Sequence, residues 1–444
     1  MKNNEICLVG DIFIDVSLKT KDSDLKMRLG GVVHAARALW ALNMPYSVAY
    51  FAPAYLDKHI SDYLKELGCN NVYKLGNVET SPYVMLVQEV KEIGDQGYEF
   101  LLRDNIEITY VSSSELNLKE FEEILVVSGS YSLSVINEYF SNEAKIHIDV
   151  ANNILSLSEI DILNNKIETV FISTSSDIFK KYYEDNKDDF SIINFFQQFN
   201  VETVVLKENR GGSRAFIRKE LTCIHISSQT QPIAHSVGVG DAYNAVYVSS
   251  YRIHPVEDAL NLASWIAAEY AKTTYVNDFK KMVQRIVKIP IDSLKNMGGC
   301  LLPWEKRKEY HIYIAAPDFD FIDTKLIDLL ENNFLYHNFV PHRPIKENGQ
   351  MEQNANLARK QELFVKDMQL IDKCTMLIAV LLYNDPGTLI EIGIAVERGI
   401  PVVVFDPNKT ATNCMLTQAP DLLTSDIDEL ITFVFNQYGR SIKR

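Results

Sequence analysis

Glu391 is the residue of this 444-residue chain whose type and position most directly suggest chemistry. An apolar run of strand length at residues 375–382 is followed by turn residues at 385–387, and residues 388–398 then have the pattern of a helix. This predicts Glu391 in the first helical turn, where a carboxylate that follows a buried strand can attack a sugar carbon. A structural alternative exists, because Thr388 and Glu391 also have the spacing of a capping box.

A second acidic residue, Asp367, lies in a predicted helix over residues 356–374. It shares one face of that helix with Leu363 and Leu370, which belong to the apolar stripe. A carboxylate placed there is partly desolvated, and desolvation raises its pKa towards the range useful for proton transfer. The structural alternative is an acid at the edge of the stripe that pairs with a lysine or with solvent.

Residues 309–424 resemble the nucleoside 2-deoxyribosyltransferase family, whose motifs recur here in the same order. The family's opening strand is similar to residues 312–317, and the run that carries its nucleophile is similar to residues 385–393. The resemblance implies that Tyr313 contacts the sugar and that Glu391 is the nucleophile.

The same resemblance assigns roles to three further residues. Asp367 would handle a proton, Asp385 would be a second catalytic aspartate near the base, and Asn413 would complete the active site of a neighbouring subunit. The implied reaction is a retaining displacement in which Glu391 attacks C1′, the base leaves with a proton supplied through one aspartate, and an acceptor reverses the step. A nucleobase acceptor makes the enzyme a transferase and water makes it a hydrolase. The sequence leaves both outcomes open, and no cofactor is implied for this domain.

One stretch bears on the substrate. Nucleotide-cleaving relatives bind the 5′-phosphate with an arginine just after the first strand, whereas this chain has Asp318, Phe319 and Asp320 there. Two acids would repel a phosphate, so a nucleoside is expected, with Phe319 as a substrate contact. Arg343 and Arg359 are the arginines that could approach from elsewhere.

The N-terminal region has its own motif, a pair of glycines, Gly238 and Gly240, followed by Asp241 at the start of a predicted helix that continues to residue 249. Free amides at such a helix start, with the helix dipole behind them, stabilise a transferring phosphate. Asp241 could take a proton from a sugar hydroxyl. The structural alternative is a glycine-bearing loop with an acidic helix cap.

Nearly all of residues 1–295 resemble the ribokinase-like (PfkB) carbohydrate kinase family, which implies ATP and Mg²⁺ as cofactors and Asp241 as the catalytic base. The residues that the resemblance assigns to sugar binding are Asp15, Gly30 and Gly31, and those assigned to ATP binding are Gly238, Gly240, Lys207 and Gly211. The chain departs from the family pattern at three places. His235 replaces an acidic residue, residues 173–177 replace the motif that organises magnesium, and His34 lies near the position of a missing asparagine. Sugar binding is therefore expected, while phosphoryl transfer stays open.

Length and pattern predict two α/β domains. We expect a ribokinase-like domain over residues 1–297, a linker over 298–309, and a smaller doubly wound parallel-sheet domain, Rossmann-like or flavodoxin-like, over 310–444. Apolar residues make up 47% of the chain, enough for two cores, yet no apolar run is long enough for a membrane span and the start lacks a signal-peptide pattern. We therefore expect a cytoplasmic protein.

Charge and cysteine usage exclude several classes. A net charge of −15 argues against nucleic acid as a partner, and the six cysteines form no C-x-x-C pair, which predicts reduced thiols and no zinc site. We therefore predict a bifunctional nucleoside-processing enzyme that acts on small molecules away from membranes and is at least a homodimer. The alternatives are a kinase in which Glu391 only caps a helix, a nucleoside-sensing protein with an inactive kinase fold, and a nucleotide-depleting effector.

Overall fold

A computed structural model of the chain describes residues 5–19, 24–102, 106–150, 154, 156–163, 167–352 and 354–441. The chain forms two compact units. The first comprises Met1–Glu92 and Gln96–Leu301, and the second comprises Ile93–Asp95 and Leu302–Arg444. No helix in the described part of the chain is long and apolar enough to cross a membrane.

The first unit is built on a sheet of ten described strands in the order β14-β13-β12-β11-β10-β9-β1-β4-β5-β8. Its strands from β12 to β5 pair in parallel, and antiparallel strands form both edges. The strands are β1 (Ile6–Asp11), β4 (Tyr46–Ala52), β5 (Val72–Val78), β8 (Ile108–Tyr110), β9 (Glu123–Val127), β10 (Lys145–Asp149), β11 (Ile167–Ser173), β12 (Thr203–Lys207), β13 (Ser213–Ile217) and β14 (Thr222–Ile226). β1 and β4 are buried along their whole length, as expected for a parallel sheet covered on both faces.

A second sheet of this unit holds the order β3-β2-β6-β7. Its strands are β2 (Ile14–Ser17), β3 (Lys26–Leu29), β6 (Val84–Val87) and β7 (Glu99–Phe100). The helices of the unit are α1 (Val33–Leu42), α2 (Asp57–Glu66), α3 (Ser134–Tyr139), α4 (Leu157–Asp161), α5 (Asp177–Asp185), α6 (Ile192–Gln197), α7 (Val239–Ser250), α8 (Val256–Ala271), α9 (Val276–Ile286) and α10 (Ile291–Asn296). Helices α1, α7 and α8 pack together through fully buried alanines such as Ala38, Ala245 and Ala263, so the start of α7 is held in place by the core.

The second unit is a separate, all-parallel sheet in the order β16-β15-β17-β18-β19. Its strands are β15 (His311–Ala315), β16 (Val340–His342), β17 (Met376–Val380), β18 (Val402–Phe405) and β19 (Leu422–Thr424). Its helices are α11 (Trp304–Arg307), α12 (Lys325–Tyr336), α13 (Pro344–Asn348), α14 (Leu357–Lys373), α15 (Pro386–Glu397), α16 (Cys414–Gln418) and α17 (Ile427–Ser441). Counted within the unit, the strand order is the flavodoxin-like 2-1-3-4-5.

The predicted fold class is therefore confirmed: a large, mostly parallel α/β unit precedes a smaller doubly wound one. In the smaller unit the strand order reverses between β15 and β17, and ligands of such sheets bind beyond the carboxyl ends of the strands at this switch point. The residues that follow β15 and β17 are thus where a site is expected.

Candidate functional sites

A buried tyrosine and a glutamate meet at the switch point of the second unit. Tyr313, on β15, is fully buried, and its hydroxyl donates a hydrogen bond of 2.6 Å to Glu391 Oε1. Glu391 reaches this position because β17 lies directly beside β15 and leads, through a short turn, into α15. The fold thus places the Glu391 carboxylate, which follows β17, next to Tyr313 on the neighbouring strand β15.

The start of α15 differs from the expectation. The helix begins at Pro386, two residues earlier than predicted, so Glu391 lies in its second turn and not its first. Asp385 is the helix cap, because its Oδ2 accepts hydrogen bonds from the Thr388 amide at 2.7 Å and from the Thr388 hydroxyl at 2.9 Å. The capping-box alternative for Thr388 and Glu391 is therefore wrong, and the Glu391 side chain is directed to Tyr313 instead.

The electrostatic surroundings of Glu391 keep it near its midpoint at neutral pH. Part of its surface remains open, yet the protein atoms packed around it raise its pKa to about 7. The hydrogen bond from Tyr313 opposes this rise, while the nearby charges of Asp367 and Asp385 add to it. Glu391 is therefore largely ionised only above neutral pH. A carboxylate whose pKa is raised in this way is a candidate for a chemical role.

Asp367 lies on α14, half-buried between the buried side chains of Leu363 and Leu370. Burial raises its pKa above the ordinary value of an aspartate. Its Oδ1 accepts a hydrogen bond of 2.8 Å from the side-chain amide of Asn348, at the end of α13, and this bond opposes the rise. The sequence analysis did not single out Asn348, because no local pattern links it to an acid 19 residues further along the chain.

Phe319 lies in the loop after β15, where its ring stacks on Phe321 with centroids 5.4 Å apart. It lines a cavity of about 420 Å³, together with Asp318, Asp328 and Arg343. Tyr313, Asp367 and Glu391 are not among the residues that line this cavity within the described part of the chain. Phe319 follows β15 and Glu391 follows β17, and within the described residues they do not line one common cavity.

The two arginines considered for phosphate binding are both paired with acids. The Arg343 guanidinium is buried and bonds both carboxylate oxygens of Asp318, at 2.5 and 2.7 Å, and also contacts Asp328 and Glu331. Arg359 lies 3.1 Å from Glu362 and 3.8 Å from a second glutamate. Neither arginine carries uncompensated charge into the cavity.

Asn413 occupies an exposed position at the start of α16, where its Oδ1 accepts a hydrogen bond of 2.8 Å from the Met415 amide. It makes no recorded contact with Tyr313 or Glu391 in the described residues of one chain. Its local structural role is that of a helix cap.

In the first unit, Asp15 on β2 is buried against the diglycine turn. A Cβ atom at Gly30 would lie 2.3 Å from Asp15 Oδ1, and one at Gly31 would lie 2.0 Å from the Asp11 carbonyl. Gly31 also has φ of +62°, a conformation that favours glycine. Both glycines are thus required by how closely the chain approaches itself around the carboxylate expected to bind sugar.

His34 connects Asp15 to the glycine motif before α7. Its Nδ1 receives a hydrogen bond from Arg37 at 2.9 Å, and since a guanidinium only donates, the ring proton must lie on Nε2. The Nε2–H then donates to Asp15 Oδ2 at 2.8 Å. Burial lowers the pKa of His34 to about 4, so it is neutral near pH 7. A Cβ at Gly238, whose φ is +76°, would lie 2.1 Å from the His34 ring.

Asp241 lies in the first turn of α7, directly after the two glycines. Burial raises its pKa to about 8, the neighbouring charges of Asp149 and Asp15 add to this rise, and Lys207 opposes it. Lys207 Nζ donates to Asp149 Oδ2 at 2.6 Å, and it lies 3.1 Å from the place where a Cβ of Gly240 would be. A cation and the free amides of a helix start therefore meet beside an acid of raised pKa.

The remaining residues of this site lie next to the elements that carry Lys207 and the glycine motif. Gly211 is buried in a short turn directly after β12, the strand that carries Lys207. His235 is buried just before the glycine motif, where burial lowers its pKa to about 3. Arg28, from β3, lies 3.3 Å from His235 Nδ1 and donates to the Val237 carbonyl at 3.2 Å.

These residues fit one expected cofactor better than the other. The amides at the start of α7 and the Lys207 ammonium suit the phosphates of ATP. For Mg²⁺, no group of three or more His, Cys, Asp or Glu side chains that could hold a metal ion occurs among the residues described. The nearby Asp149 carboxylate is already bonded to Lys207 and Asn244. Because Mg²⁺ bound with a nucleotide takes one or two carboxylates together with phosphate and water oxygens, a cluster of three such side chains is not required for it.

Comparison with known proteins gives different matches for the two parts of the chain. The family model described as Nucleoside 2-deoxyribosyltransferase matches residues 312–424, so the second unit contains a domain of this family. Comparison with curated proteins gives no match.

Among solved structures, the N-terminal part is similar to members of the ribokinase family. A nucleoside kinase of Methanocaldococcus jannaschii is 15% identical, with 65% of this chain and 99% of that chain covered and a TM-score of 0.47. A putative ribokinase II of E. coli, solved with ATP and Mg²⁺, is 13% identical over 64% and 99% of the two chains, with a TM-score of 0.47. A fructokinase of Xylella fastidiosa with bound ATP is 12% identical over 65% and 99%, with a TM-score of 0.48.

The substitution Tyr313→Phe is expected to raise the pKa of Glu391 further, because it removes the 2.6 Å hydrogen bond that stabilises the ionised form. For any activity that needs ionised Glu391, the midpoint of the acidic limb of the pH–rate profile should then shift upward by about half to one pH unit. The measurement is the rate of base release from a nucleoside between pH 5 and pH 9. Superimposable profiles for the wild type and the variant would show that the bond does not tune Glu391.

Gly238→Ala should destabilise the first unit more than Gly68→Ala. Both glycines have left-handed φ angles, +76° and +69°, so both variants incur a similar backbone strain of about 1 kcal/mol. Only Gly238 adjoins the His34 ring, whereas a Cβ at Gly68 meets nothing closer than 3.8 Å. Urea unfolding should show an additional loss of about 1–3 kcal/mol for Gly238→Ala. Equal losses for the two variants would contradict the close approach of His34.

Proposed function

We propose that this chain is a bifunctional nucleoside-processing enzyme. Its second unit cleaves or transfers the N-glycosidic bond of a nucleoside or deoxynucleoside, with Glu391 as the nucleophile. Its first unit phosphorylates a hydroxyl of a sugar or nucleoside with ATP. The observation that carries the first assignment is the Tyr313–Glu391 pair at the switch point of a domain that matches the nucleoside 2-deoxyribosyltransferase family.

The proposed displacement follows from the groups around Glu391. The ionised carboxylate attacks C1′ of the nucleoside, an ester bond forms between C1′ and Glu391, and the C1′–N bond breaks with its electron pair going to the base. Asp367, whose pKa is raised by burial, supplies the proton that the departing base takes up. A second base or a water molecule then attacks C1′ and gives a proton to the Asp367 carboxylate, while the ester bond between C1′ and Glu391 breaks with its electron pair returning to the Glu391 carboxylate. Asp385 caps α15 and adds negative charge near the nucleophile.

A nucleoside is the proposed substrate in preference to its 5′-monophosphate. Asp318 and Asp320 follow the first strand, where a phosphate would lie in nucleotide-cleaving relatives, and the Arg343 charge is neutralised by Asp318, Asp328 and Glu331. A phosphate entering there would meet acids, and the cations that line the described part of this cavity are already paired, Arg343 with three acids and Lys346 with Glu331. The Phe319 ring offers a surface on which a base could stack.

For the first unit, we propose that Asp15 binds hydroxyls of the acceptor and that Asp241 removes the proton from the hydroxyl that is phosphorylated. ATP, when bound, supplies the phosphoryl group. Gly238 and Gly240 would present backbone amides to its phosphates, and Lys207 would add positive charge beside them. His34 keeps one oxygen of Asp15 engaged, which leaves the other oxygen to accept from a substrate hydroxyl.

The proposed nucleoside site is shared between two copies of the chain. Support comes from exposed apolar residues on the helices that carry the two acids: Phe364 is 55% exposed on α14 and Ile390 is 60% exposed on α15. Met415, two residues after Asn413, is 71% exposed. A second copy that covers these side chains would remove them from water, and its Asn413 is the residue proposed to reach Glu391.

Product analysis tests both activities. Pure protein is incubated with nucleosides and with their 5′-monophosphates, with and without magnesium and ATP, and products are separated by chromatography. Glu391→Gln should lower base release at least about 10³-fold, since it removes the nucleophile but keeps the shape, and Asp241→Asn should abolish only the ATP-dependent product. Nucleosides should be cleaved faster than monophosphates.

Two matched controls are available. Glu397→Gln changes an exposed glutamate of α15, and Asp292→Asn changes an exposed aspartate of α10, so neither should affect product formation. Base release that survives Glu391→Gln would refute the nucleophile. If monophosphates are cleaved faster, the nucleotide-depleting alternative replaces the nucleoside assignment. Binding without an ATP-dependent product would favour the sensor reading of the first unit.

Mixing two inactive variants tests the shared site. Glu391→Gln and Asn413→Ala homodimers should each release base slowly, but subunit exchange should produce mixed dimers in which one site contains both native residues. Up to about a quarter of wild-type activity should then return, with recovery that follows exchange measured by size-exclusion chromatography. An active protein that elutes as a monomer, or a mixture that stays inactive despite exchange, would contradict the shared site.

A further inference from the structure

We propose that Asn348 is a positioning residue for the glycosidic chemistry of the second unit: its side-chain amide fixes Asp367 through Oδ1, so that Oδ2 is the oxygen that exchanges the proton with the leaving base. This inference rests on the function proposed above for Glu391 and Asp367. It adds a residue from a different helix, one that the family resemblance did not single out.

The contact itself defines which groups are involved. Asn348 Nδ2 lies 2.8 Å from Asp367 Oδ1, and both side chains are half-buried. An ionised carboxylate has no hydrogen to donate, so the amide must present its NH₂ group to it. No other hydrogen bond to the Asp367 carboxylate is recorded in the described residues, which leaves Oδ2 available.

The short helix that carries Asn348 is anchored at its beginning. Arg343, the residue directly before α13, is buried and tied to Asp318 by two hydrogen bonds and to Asp328 and Glu331 by one each. Removing one partner from so extensively paired a buried cation is costly, so this end of the helix has little freedom.

A second anchor lies next to Asn348 itself. Glu347 Oε1 and His342 Nδ1 are 2.8 Å apart, and His342 Nε2 and His311 Nδ1 are also 2.8 Å apart. When His342 is neutral and donates from Nδ1 to the Glu347 carboxylate, its Nε2 accepts from His311 Nδ1–H, so both hydrogen bonds run in the same direction. The two rings are stacked, with centroids 5.1 Å apart, and they tie α13 to β15 and β16. Gly349, with φ of +93°, then ends the helix.

These anchors give the Asn348 amide a fixed direction before any substrate binds. A hydrogen bond made by a preorganised donor requires no rearrangement during the reaction, which is where such donors contribute most. Asp367 is also the acid of α14 whose charge acts on Glu391 and on Tyr313. The orientation and proton affinity of Asp367 thus affect both Glu391 and Tyr313. Asn348 acts on Asp367 through one hydrogen bond.

The test compares Asn348→Ala and Asn348→Asp with the control Asn356→Ala. Asn356 caps α14 through the Arg359 amide, so its loss weakens the same helix without touching Asp367. Two quantities are measured for each protein: the titration of the Asp367 carboxyl carbon by ¹³C NMR, and kcat and KM for base release across pH.

Asn348→Ala should raise the titration midpoint of Asp367 by about half to one pH unit, because the lost bond stabilised the ionised form. Asn348→Asp should raise it further, since two carboxylates at this distance do not both ionise readily. In both variants kcat should fall about 10-fold with KM within about twofold, because orientation and not binding is changed. Asn356→Ala should lower the melting temperature and leave the titration and kcat unchanged.

The outcomes separate this inference from the proposed function. If the wild type releases base but Asn348→Ala shows neither a shifted titration nor a lower kcat, the positioning role is overturned and the function stands. If the titration shifts as expected while the wild type releases no base from any nucleoside, the proposed function fails and the action of Asn348 on Asp367 stands. If Asn356→Ala loses kcat as much as Asn348→Ala does, and both losses follow the loss of stability, Asn348 is a structural residue and the positioning role is overturned.

Discussion

A carboxylate buried beside a tyrosine hydroxyl imposes most of what is distinctive about the second unit. Desolvation disfavours the ionised form of Glu391, and the Tyr313 hydroxyl partly restores it, so the pair has to be assembled with a short, fixed hydrogen bond. The parallel sheet meets this requirement because β15 and β17 are neighbours and both are buried. A tyrosine on one strand and a helix that starts after the other then meet without any long loop. Moving either strand in the order would separate the two side chains.

The first unit solves a comparable problem with glycines. Asp15, His34 and the start of α7 lie so close together that a Cβ at Gly30 or Gly238 would overlap with a side chain. Burial keeps the His34 ring neutral. Because Arg37 donates to its Nδ1, the single ring proton lies on Nε2. Within the described residues the result is a carboxylate with one oxygen bonded to His34 and no hydrogen bond to the other, next to helix amides that can donate to a phosphate.

Some of this could be read from the sequence, and the limits have physical reasons. The apolar strand before Glu391, and the turn residues between that strand and Glu391, predict the strand–helix unit correctly, because both signals are local. The spacing of Thr388 and Glu391 also fitted a capping box, but the helix begins two residues earlier and is capped by Asp385, so the Glu391 side chain meets Tyr313 instead. Asn348 and the Arg343 cluster were out of reach for another reason. Their partners lie 12 to 25 residues away and are brought together by the arrangement of helices on the sheet, which leaves no periodic pattern.

Glu391 and Asp241 differ from Glu331 in the direction of their pKa shifts. For Glu331, burial raises the pKa, but bonds to Lys346 and Arg343 outweigh it and the net shift is downward. For Glu391 and Asp241 burial prevails, and the pKa rises to about 7 and about 8. The sign of the linkage follows: an acid with a raised folded pKa binds its proton more tightly in the folded state, so each of these two lowers stability as pH increases from its unfolded value through its folded value. A fold that needed these positions only for support would gain from an amide or an apolar side chain there. Each of these two acids is kept at a cost to stability, and a hydrogen-bond donor or a cation beside it moderates its raised pKa. Chemistry near neutral pH requires acids of this kind.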